Sequence, residues 1–463
     1  MSDIAKIDEA VLTIIDTAGV QDYIFGSNRL RENIGASFLV EQATRDWVYE
    51  ELDNLGEHNI ANRETGEIDR NKKMENAADD LSAELIYAGG GNTAILFRSK
   101  DEAKAFTWEL SKRVLRAAPG LEIVIAHSEP FKWRHDARDL SDIIKDLRER
   151  RLAQKKRTCQ VPPMPLLGLS VTAECASTGL VATQSSLELE AEPRLVSREI
   201  MAKLEATHKD KPGGEIRNEA KRRLLNYLRE NDQGFNADEF EFSDELDHLG
   251  RTGGEESYIA VVHIDGNSMG EMIKDYVADT KDNREYIERL RDFSIGVEWA
   301  SKAALVKTLR TLSRHIRGER DLETNRAVWQ VIEAIPPPLV VPKDKLTIAQ
   351  QKRIRLFEED KNGKPCWPFR PLVFGGDDVT FVCNGQLGLS LATVFMDAVT
   401  AETRELMKDS PHKEVHTGAG VCIVKVHYPF RRAYELSAQL TKQAKHLLGD
   451  QNREASALDW HIS

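Results

Sequence analysis

Short apolar runs alternate with amphipathic stretches along the chain, and the same arrangement occurs in both halves. In the first half, VLTIIDTAGVQDYIF precedes LIYAGGGNTAILF; in the second half, YIAVVHIDGNSMGEMI precedes PLVFGGDDVTFVC. Each leading run predicts a strand ending at an aspartate, Asp16 or Asp265, followed by a glycine-containing turn and a helix start. Each second run predicts a tight hairpin whose tip carries glycines. The repeat therefore predicts two copies of one supersecondary unit.

The match continues downstream, where a helical stretch, an apolar run and another helical stretch follow each glycine turn. In the second half these are LSLATVFMDAVTAETRELM, GAGVCIVKVHY and RRAYELSAQLTKQAKHLL. The spacing of apolar positions in the last stretch predicts one buried helix face, formed by Ala433, Leu436, Leu440, Ala444 and Leu447.

The resulting order is β-α-β-β-α-β, the ferredoxin-like arrangement that is also the palm of many nucleotide polymerases and cyclases. The sequence predicts an α+β protein in which two such palm domains form an internal pseudo-dimer, joined by a mainly helical linker domain. We place the first palm at 1–157, the linker with a cysteine-containing loop at 158–254 and the second palm at 255–463. A charged insertion at about 320–368, containing IPPPLVVP, is expected to loop out of the second palm.

Composition narrows the classes of protein. The 463 residues are 41% hydrophobic and 30% charged, as in ordinary globular domains. No apolar run approaches the roughly 20 residues needed to cross a bilayer, and the N-terminus lacks a signal-peptide pattern, so we expect a cytoplasmic protein without a membrane partner. The net charge of −12 argues against nonspecific nucleic-acid binding as the main function. The five scattered cysteines form no CxxC pair and predict neither a disulfide framework nor a zinc site.

Three acids of the second palm are the strongest chemical signal. Asp265 ends the first strand, and Asp377 and Asp378 follow two glycines at the hairpin tip, which the palm topology places beside that strand end. Carboxylates brought together repel one another unless a divalent cation shares them. Oxygen-only ligands suit Mg²⁺ or Mn²⁺, and two such ions support nucleotidyl transfer. We therefore predict Asp265, Asp377 and Asp378 as catalytic residues and metal ligands.

Other residues of the second palm are candidates for binding the nucleotide. The turn GNSMG after Asp265 offers small residues and backbone N–H groups at a helix start, which suits a triphosphate. The predicted cradle consists of Gly266, Asn267, Ser268 and Gly270. Lys445, on the last helix, could add a positive charge for the phosphates, although a surface lysine near a helix end is the equal alternative.

The first palm lacks the acidic pair. Its hairpin tip has Gly89, Gly90 and Gly91 followed by Asn92, so it cannot form the same metal site. Asp16 is then a lone acid, and we interpret it as turn-forming rather than catalytic. Because glycine backbone allows close approach of a phosphate or base, the three glycines are predicted to hold a second nucleotide.

With these motifs in view, the chain resembles the large subunit of type III CRISPR effector complexes, the CRISPR polymerase or cyclic oligoadenylate synthetase family. GVQDYIFGSNRLRENIGASFLV is similar to the family's opening palm signature, and AECASTGLVA to its element between the palms. HIDGNSMG and FGGDD resemble the metal motifs of the second palm, and SALDWHI resembles its closing strand. The combination is more specific than any one motif.

The resemblance implies polymerisation of ATP into 3′–5′ linked cyclic oligoadenylates, second messengers of antiviral defence. It implies Asp265, Asp377 and Asp378 as metal ligands and Gly375 and Gly376 as the nucleotide-facing turn. It also suggests CRISPR-type subunits or a guide RNA as partners; a homo-oligomer is a further alternative. We expect a compact form without the family's HD nuclease domain and C-terminal helical domain.

Two other functions stay open from the sequence. A diguanylate-cyclase-like enzyme shares the palm and a similar hairpin tip but uses GTP, and the base pocket cannot be identified from the residues. A non-catalytic scaffold or ATP-binding subunit of a CRISPR-like complex is the second alternative. The pair Asp377–Asp378 argues against it, because a scaffold has no need of adjacent acids in a turn.

Overall fold

The structure is a computed structural model. It describes residues 9–133, 140–159, 171–187, 189–190, 192–207, 219–231, 234, 236, 239–250, 257–320, 327–331, 354–356, 358–359, 364–408, 412–449 and 454–463. These residues group into two compact units. The first unit comprises 1–26, 35–206 and 276–295, and the second comprises 27–34, 207–275 and 296–463. None of the described helices has the length and apolar character needed to cross a membrane.

Secondary structure alternates between strands and helices throughout the described chain. The strands are β1 (Glu9–Ala18), β2 (Ile60–Asn62), β3 (Glu67–Ile68), β4 (Ala83–Gly89), β5 (Asn92–Phe97), β6 (Glu122–His127), β7 (Phe131–Lys132), β8 (Gln184–Ser185), β9 (Leu195–Val196), β10 (Tyr258–Gly266), β11 (Ile316–Arg320), β12 (Ala327–Val331), β13 (Ile354–Arg355), β14 (Glu358–Glu359), β15 (Lys364–Pro365), β16 (Phe369–Val373), β17 (Val379–Asn384), β18 (Thr417–Lys425) and β19 (Ala457–Ile462). The helices are α1 (Val20–Phe25), α2 (Leu30–Glu41), α3 (Trp47–Leu55), α4 (Lys100–Ala117), α5 (Leu140–Asp146), α6 (Ala153–Cys159), α7 (Arg198–Ala206), α8 (Glu219–Asn231), α9 (Leu246–Gly250), α10 (Met269–Tyr276), α11 (Asn283–Ser313), α12 (Gly388–Leu406) and α13 (Phe430–Leu447).

The first unit is built around a sheet in the order β4-β5-β1-β6, with β7 also pairing with β1. The central strand β1 is antiparallel to both β5 and β6. Its apolar residues, including Leu12 and Ile14, are almost fully buried because the sheet is covered. The amphipathic helix α4 packs on it through Phe106 and Leu110, and Phe106 lies 5.3 Å from the ring of Phe97. This unit has the predicted ferredoxin-like order.

The second unit repeats that order. Its main sheet runs β16-β17-β10-β18-β19, with β10 antiparallel to both β17 and β18 and β19 parallel to β18. Because strand side chains alternate between faces, Ala260, Val262 and Ile264 point to one side. They join the main apolar core there together with residues of α11 and α12, such as Leu309 and Phe395. The α+β class and palm fold predicted from the sequence are confirmed.

The opposite face of this second sheet is covered by α13. The helix buries Ala433, Leu440 and Ala444 as predicted, but Leu447 is 80% exposed. It lies beyond Lys445, whose side chain already packs over Gly418, next to the first residue of β18. The sheet therefore ends before Leu447 can be covered, and the prediction that it joins the buried face is wrong.

The segment predicted as a linker contributes to both units. Residues up to Ala206 belong to the first unit, and those from Thr207 belong to the second. Within the second unit, α8 places Leu224 and Leu228 in the main core. The IPPPLVVP stretch lies outside the described residues. Around it, β11, β12 and β13 form a small antiparallel sheet, and Val331 and Ile354 of this sheet are also core residues.

The two glycine hairpins differ. In the first unit, Gly90 and Gly91 form a two-residue connection between β4 and β5, with φ values of 60° and 80°. This is the tight turn predicted, since two left-handed residues match the twist of a hairpin. In the second unit, five residues, from Phe374 to Asp378, connect β16 and β17. The prediction of a tight hairpin there is wrong, because the two strands stop pairing before the glycines: β16 ends at Val373 and β17 begins at Val379.

Gly420 tests how closely α13 packs on the second sheet. A Cβ atom at this position would lie 2.0 Å from the Ser437 carbonyl oxygen and 2.6 Å from the Thr441 nitrogen, both on α13. We expect Gly420→Ala to lower the free energy of unfolding by about 1–3 kcal/mol, because the helix must move off the strand. Urea denaturation followed by tryptophan fluorescence measures this.

Gly270→Ala is the matched control, since no atom lies within 4 Å of the added methyl group and Gly270 is helical. Alanine at a helical position should be neutral or stabilise by up to about 1 kcal/mol. Equal unfolding midpoints for the two variants would contradict the close packing of α13.

Candidate active site

Asp265 lies near the end of the central strand β10 of the second palm. Alternation along this strand places His263 and Asp265 on the face covered by α13, opposite to the apolar core. The last residues of the strand extend past the covered part of the sheet, and the Asp265 side chain is 39% exposed. The local sequence thus gives a strand whose buried part is apolar and whose end carries an accessible carboxylate.

The register of β10 with β17 brings the acids together. Ile264 pairs with Val379, so the next pair in an antiparallel register is Asp265 with Asp378. The Gly266 N–H then donates to the Asp377 carbonyl oxygen at 3.2 Å, which continues the same register. Directly opposed residues of an antiparallel pair have Cβ atoms about 4.5–5.5 Å apart on one face. The structure therefore brings Asp265, Asp377 and Asp378 to one edge of the sheet.

Repulsion between these acids is visible in the pKa of Asp377. Asp377 is exposed, and the charged groups that act on its carboxyl group are Asp265 and Lys445. The partial loss of hydration raises its pKa, and the negative charge of Asp265 raises it further, whereas Lys445 acts in the opposite direction. The ionised form of Asp377 is thus disfavoured in the absence of a further cation.

Lys445 binds the first of these acids. Its Nζ lies 2.5 Å from Asp265 Oδ2 and donates to the Gly266 carbonyl oxygen at 2.8 Å. The last helix of the palm reaches the strand end because Gly418 has no side chain: a Cβ there would lie 2.5 Å from Lys445 Cγ. The ammonium group is therefore part of the acidic cluster.

His263 is a site residue that the sequence analysis missed. Its Nδ1 lies 3.1 Å from the Thr380 hydroxyl and 3.3 Å from Asp378 Oδ1. Burial and the nearby charge of Lys445 lower its pKa to about 4, against the opposing influence of Asp265, so the ring is neutral at pH 7. The neutral ring therefore lies beside Asp378 without adding charge. The sequence did contain a clue to His263: it is a polar residue in an apolar strand, two positions before Asp265 and hence on the same face of the sheet.

The acidic edge fits a hard divalent cation. Its donors are carboxylate oxygens, and the side chains of Asp265 and Asp378 are 39% and 42% exposed. Among the described residues, no group of three or more His, Cys, Asp and Glu side chains is arranged to hold a metal ion. Mg²⁺ commonly binds through one or two carboxylates and completes its shell with water and phosphate oxygens. The donors present match that mode of binding rather than an all-protein cage.

The turn after Asp265 is tightly built. A Cβ at Gly266 would lie 2.7 Å from Met269 Cγ and 3.0 Å from Asp377 Cβ, so only glycine fits. Asn267 is fully buried, and its side chain donates to the Ala455 carbonyl oxygen at 3.1 Å. It therefore anchors the turn from inside. Ser268 has φ of 52°, and the space around Gly270 is open. The first N–H groups of α10 point from this turn, as at any helix start.

The first palm carries a partial copy of this arrangement. Asp16 pairs with Asn92 in the β1–β5 register, in the position that Asp378 has opposite Asp265. Lys156 Nζ lies 2.6 Å from Asp16 Oδ2, as Lys445 does from Asp265. Asp16 thus faces an amide and not a second carboxylate, as the sequence indicated, and its ion pair with Lys156, which follows the last strand of this palm, is a contact that the sequence analysis did not predict. Gly91 stands where the second palm has Asp377.

The sequence of the second half matches a known domain. Residues 258–455 match the family model of the Cas10/Cmr2 second palm domain. Among curated proteins, no sequence matches the chain significantly.

Solved structures with a similar fold come from CRISPR complexes. A Csm1–Csm4 cassette in complex with cA3 is 15% identical, with 96% of this chain and 53% of that chain covered and a TM-score of 0.50. A Csm1–Csm4 subcomplex of the type III-A CRISPR-Csm interference complex is 15% identical, with 95% and 53% covered and a TM-score of 0.50. At this identity the likeness shows the fold alone. The chain spans about half the length of these relatives.

The family match covers the strands, the turn and the helix that form the acidic edge, including Asp265, Asp377, Asp378 and Lys445. Residues 258–455 are therefore similar to the second palm domain of the Cas10/Cmr2 family, which confirms for this part of the chain the resemblance to the large subunit of type III CRISPR complexes.

Proposed function

We propose that this protein is a nucleotidyltransferase that converts ATP into cyclic oligoadenylate-type second messengers. One observation supports this above the others: the β10–β17 register places Asp265 opposite Asp378, next to Asp377, on an accessible sheet edge. Three acids so close together weaken the fold through repulsion unless they serve to bind cations. A palm that presents acids in this way is suited to phosphoryl transfer.

The residues around the acids have distinct roles in this proposal. Asp265, Asp377 and Asp378 hold the cations and are the catalytic residues. Lys445 neutralises part of the acidic charge and contributes positive charge at the triphosphate. When bound, two Mg²⁺ or Mn²⁺ ions supply Lewis-acid activation of the attacking hydroxyl and stabilise charge on the phosphates.

Backbone groups bind the triphosphate. Gly266, Ser268 and Gly270 present main-chain atoms at the start of α10, where helix N–H groups favour anionic groups. Asn267 contributes by fixing this turn through its buried side chain. Gly375 and Gly376 form the turn that faces the nucleotide. In the first palm, Gly89, Gly90 and Gly91 are proposed to hold a second nucleotide against bare backbone.

ATP is favoured over GTP by the comparison with known structures. One of the solved structures with a similar fold is a Csm1–Csm4 cassette in complex with cA3. It supports an adenine nucleotide as substrate and a subunit of the Csm4 kind as partner. A diguanylate-cyclase-like reaction with GTP is the alternative. Incubation with radiolabelled ATP or GTP and Mn²⁺, followed by separation of products, distinguishes them; cyclic products from GTP alone would overturn the assignment of ATP.

Asp378→Asn tests the acidic pair most directly, because it gives the second palm the Asp–Asn arrangement that the first palm has at Asp16 and Asn92. We expect product formation from ATP to fall by about 100-fold or more, since the position loses a charged metal ligand while keeping its shape. The rate of product formation measures this. Asp101→Asn, which removes an acid that is 96% exposed on α4, is the control and should keep the wild-type rate. Wild-type activity in Asp378→Asn would refute the site.

Asp377→Asn tests cation binding through thermal stability, without a measurement of catalysis. The pKa of Asp377 is raised in the folded protein, so folding favours the protonated carboxyl group. The free energy of unfolding therefore decreases as the pH rises from the pKa of Asp377 in the unfolded chain to its pKa in the folded protein. At neutral pH the ionised Asp377 carboxylate therefore destabilises the folded protein when no cation is bound. We expect Asp377→Asn to melt at the same or a higher temperature than the wild type in chelator.

Mg²⁺ should reverse that order. Cation binding to the folded state should raise the melting temperature of the wild type by stabilising its carboxylates, and should do so much less for Asp377→Asn. Differential scanning fluorimetry with and without 10 mM Mg²⁺, roughly a saturating concentration for such sites, provides the measurement. An equal Mg²⁺ shift in both proteins would show that the cation binds elsewhere.

A further inference from the structure

The acidic turn of the second palm lies beside residues of two helices. Five residues connect β16 and β17, and Gly375 within them has φ of 103°, a conformation that costs glycine little but does not hold it in place. One side of the turn is bound to β10 through the Gly266–Asp377 hydrogen bond. The other side faces two helices, α8 and the later part of α11.

Lys302 of α11 lies directly beside this turn. A Cβ built at Gly375 would lie 3.9 Å from Lys302 Cε and 4.0 Å from Glu298 Cγ, which is ordinary van der Waals contact. Lys302 Nζ binds Glu298 Oε1 at 2.6 Å, one helical turn earlier. The Lys302 side chain is only 12% exposed. Its ammonium group is therefore held in one place rather than extended into solvent.

Tyr227 of α8 completes the cluster. The Lys302 ammonium lies 3.9 Å from the centre of the Tyr227 ring, a cation–π distance. The same ring meets Phe374, the first residue of the turn, edge-on at 5.8 Å. Arg223 donates to the Tyr227 hydroxyl at 2.9 Å, and the neighbouring Leu224 and Leu228 anchor α8 in the core. A single buried ring thus contacts both the turn and the lysine.

We propose that Lys302, held by Glu298 and the Tyr227 ring, is a positioning residue that fixes the Gly375–Gly376 turn and so sets the placement of the Asp377 and Asp378 carboxylates. The expected effect on catalysis rests on the proposed function. The effect on the positions of the Asp377 and Asp378 carboxylates does not. Helix α8, which lies outside the palm repeat, thereby also has a role in the site. Lys302 acts through the turn and is not a catalytic residue.

Misplacing catalytic groups by about 1 Å can cost a large factor in rate, even when the change lies outside the chemistry. We therefore expect Lys302→Met, which keeps an apolar stem but removes the ammonium, to lower kcat for product formation by about 10-fold with KM for ATP within about twofold. Lys302→Arg keeps the charge and the cation–π contact and should recover at least half of the lost rate. Lys307→Met removes an exposed lysine from the same helix and should match the wild type.

The aromatic part is tested by a second pair of variants. Tyr227→Phe keeps the ring that contacts Lys302 and Phe374, and should retain wild-type kcat. Tyr227→Leu removes the ring and should reproduce the loss in Lys302→Met. Melting temperatures of all variants are measured in parallel, so that a loss of kcat in a protein that melts like the wild type is assigned to positioning and not to unfolding.

Mn²⁺ binding without nucleotide, followed by electron paramagnetic resonance, provides a readout that does not depend on turnover. Lys302→Met should weaken Mn²⁺ binding by about threefold or more, because the ligands are no longer held together. An active wild type with unchanged kcat and Mn²⁺ affinity in Lys302→Met would overturn this inference and leave the proposed function intact. A wild type that makes no product but binds Mn²⁺, with weaker binding in Lys302→Met, would overturn the proposed function and support the positioning role. A wild type that does not bind Mn²⁺ would overturn both.

Discussion

Repulsion among three carboxylates at one sheet edge is the constraint around which the second palm is organised. The antiparallel register leaves no freedom here: once Ile264 pairs with Val379, Asp265 must meet Asp378 on the same face. The protein limits the cost in two ways that need no bound ion. Lys445 binds Asp265, and His263, beside Asp378, is neutral and therefore brings no further charge. The raised pKa of Asp377 shows that this compensation is incomplete, which is the state expected of a site that binds cations.

The first palm shows what the same scaffold does without that constraint. Its register also places an acid, Asp16, opposite the residue that ends the glycine turn, but this residue is Asn92. Lys156 binds this one acid. The glycine connection can also be a two-residue turn, because no pair of carboxylates has to be carried by a wider loop. One fold therefore supports a neutral edge in one palm and a strongly acidic edge in the other.

Much of the fold could be predicted from the sequence because its signals are local. Strand alternation, amphipathic helices and glycine turns gave the strand order of both palms, and the register followed for the acids. Side-chain contacts that the strand order does not determine could not be predicted. The pairing of Lys156 with Asp16, the position of His263 beside Asp378 and the exposure of Leu447 depend on where one element ends above another. Hydrophobic periodicity carries no information about such ends.

The acidic turn also depends on contacts that the sequence pattern does not reveal. A turn that carries two acids cannot be stabilised by burying them, so its rigidity has to come from the residues just before them. Phe374 and Gly375 are those residues: Phe374 contacts the Tyr227 ring, and Gly375 lies near Lys302, in a cluster anchored in the core through α8 and α11. The ammonium of Lys302 is bound by Glu298 and lies over the Tyr227 ring, which itself contacts Phe374, while its aliphatic stem lies near the glycine turn. A neutral side chain of equal size would supply the packing but not the charge.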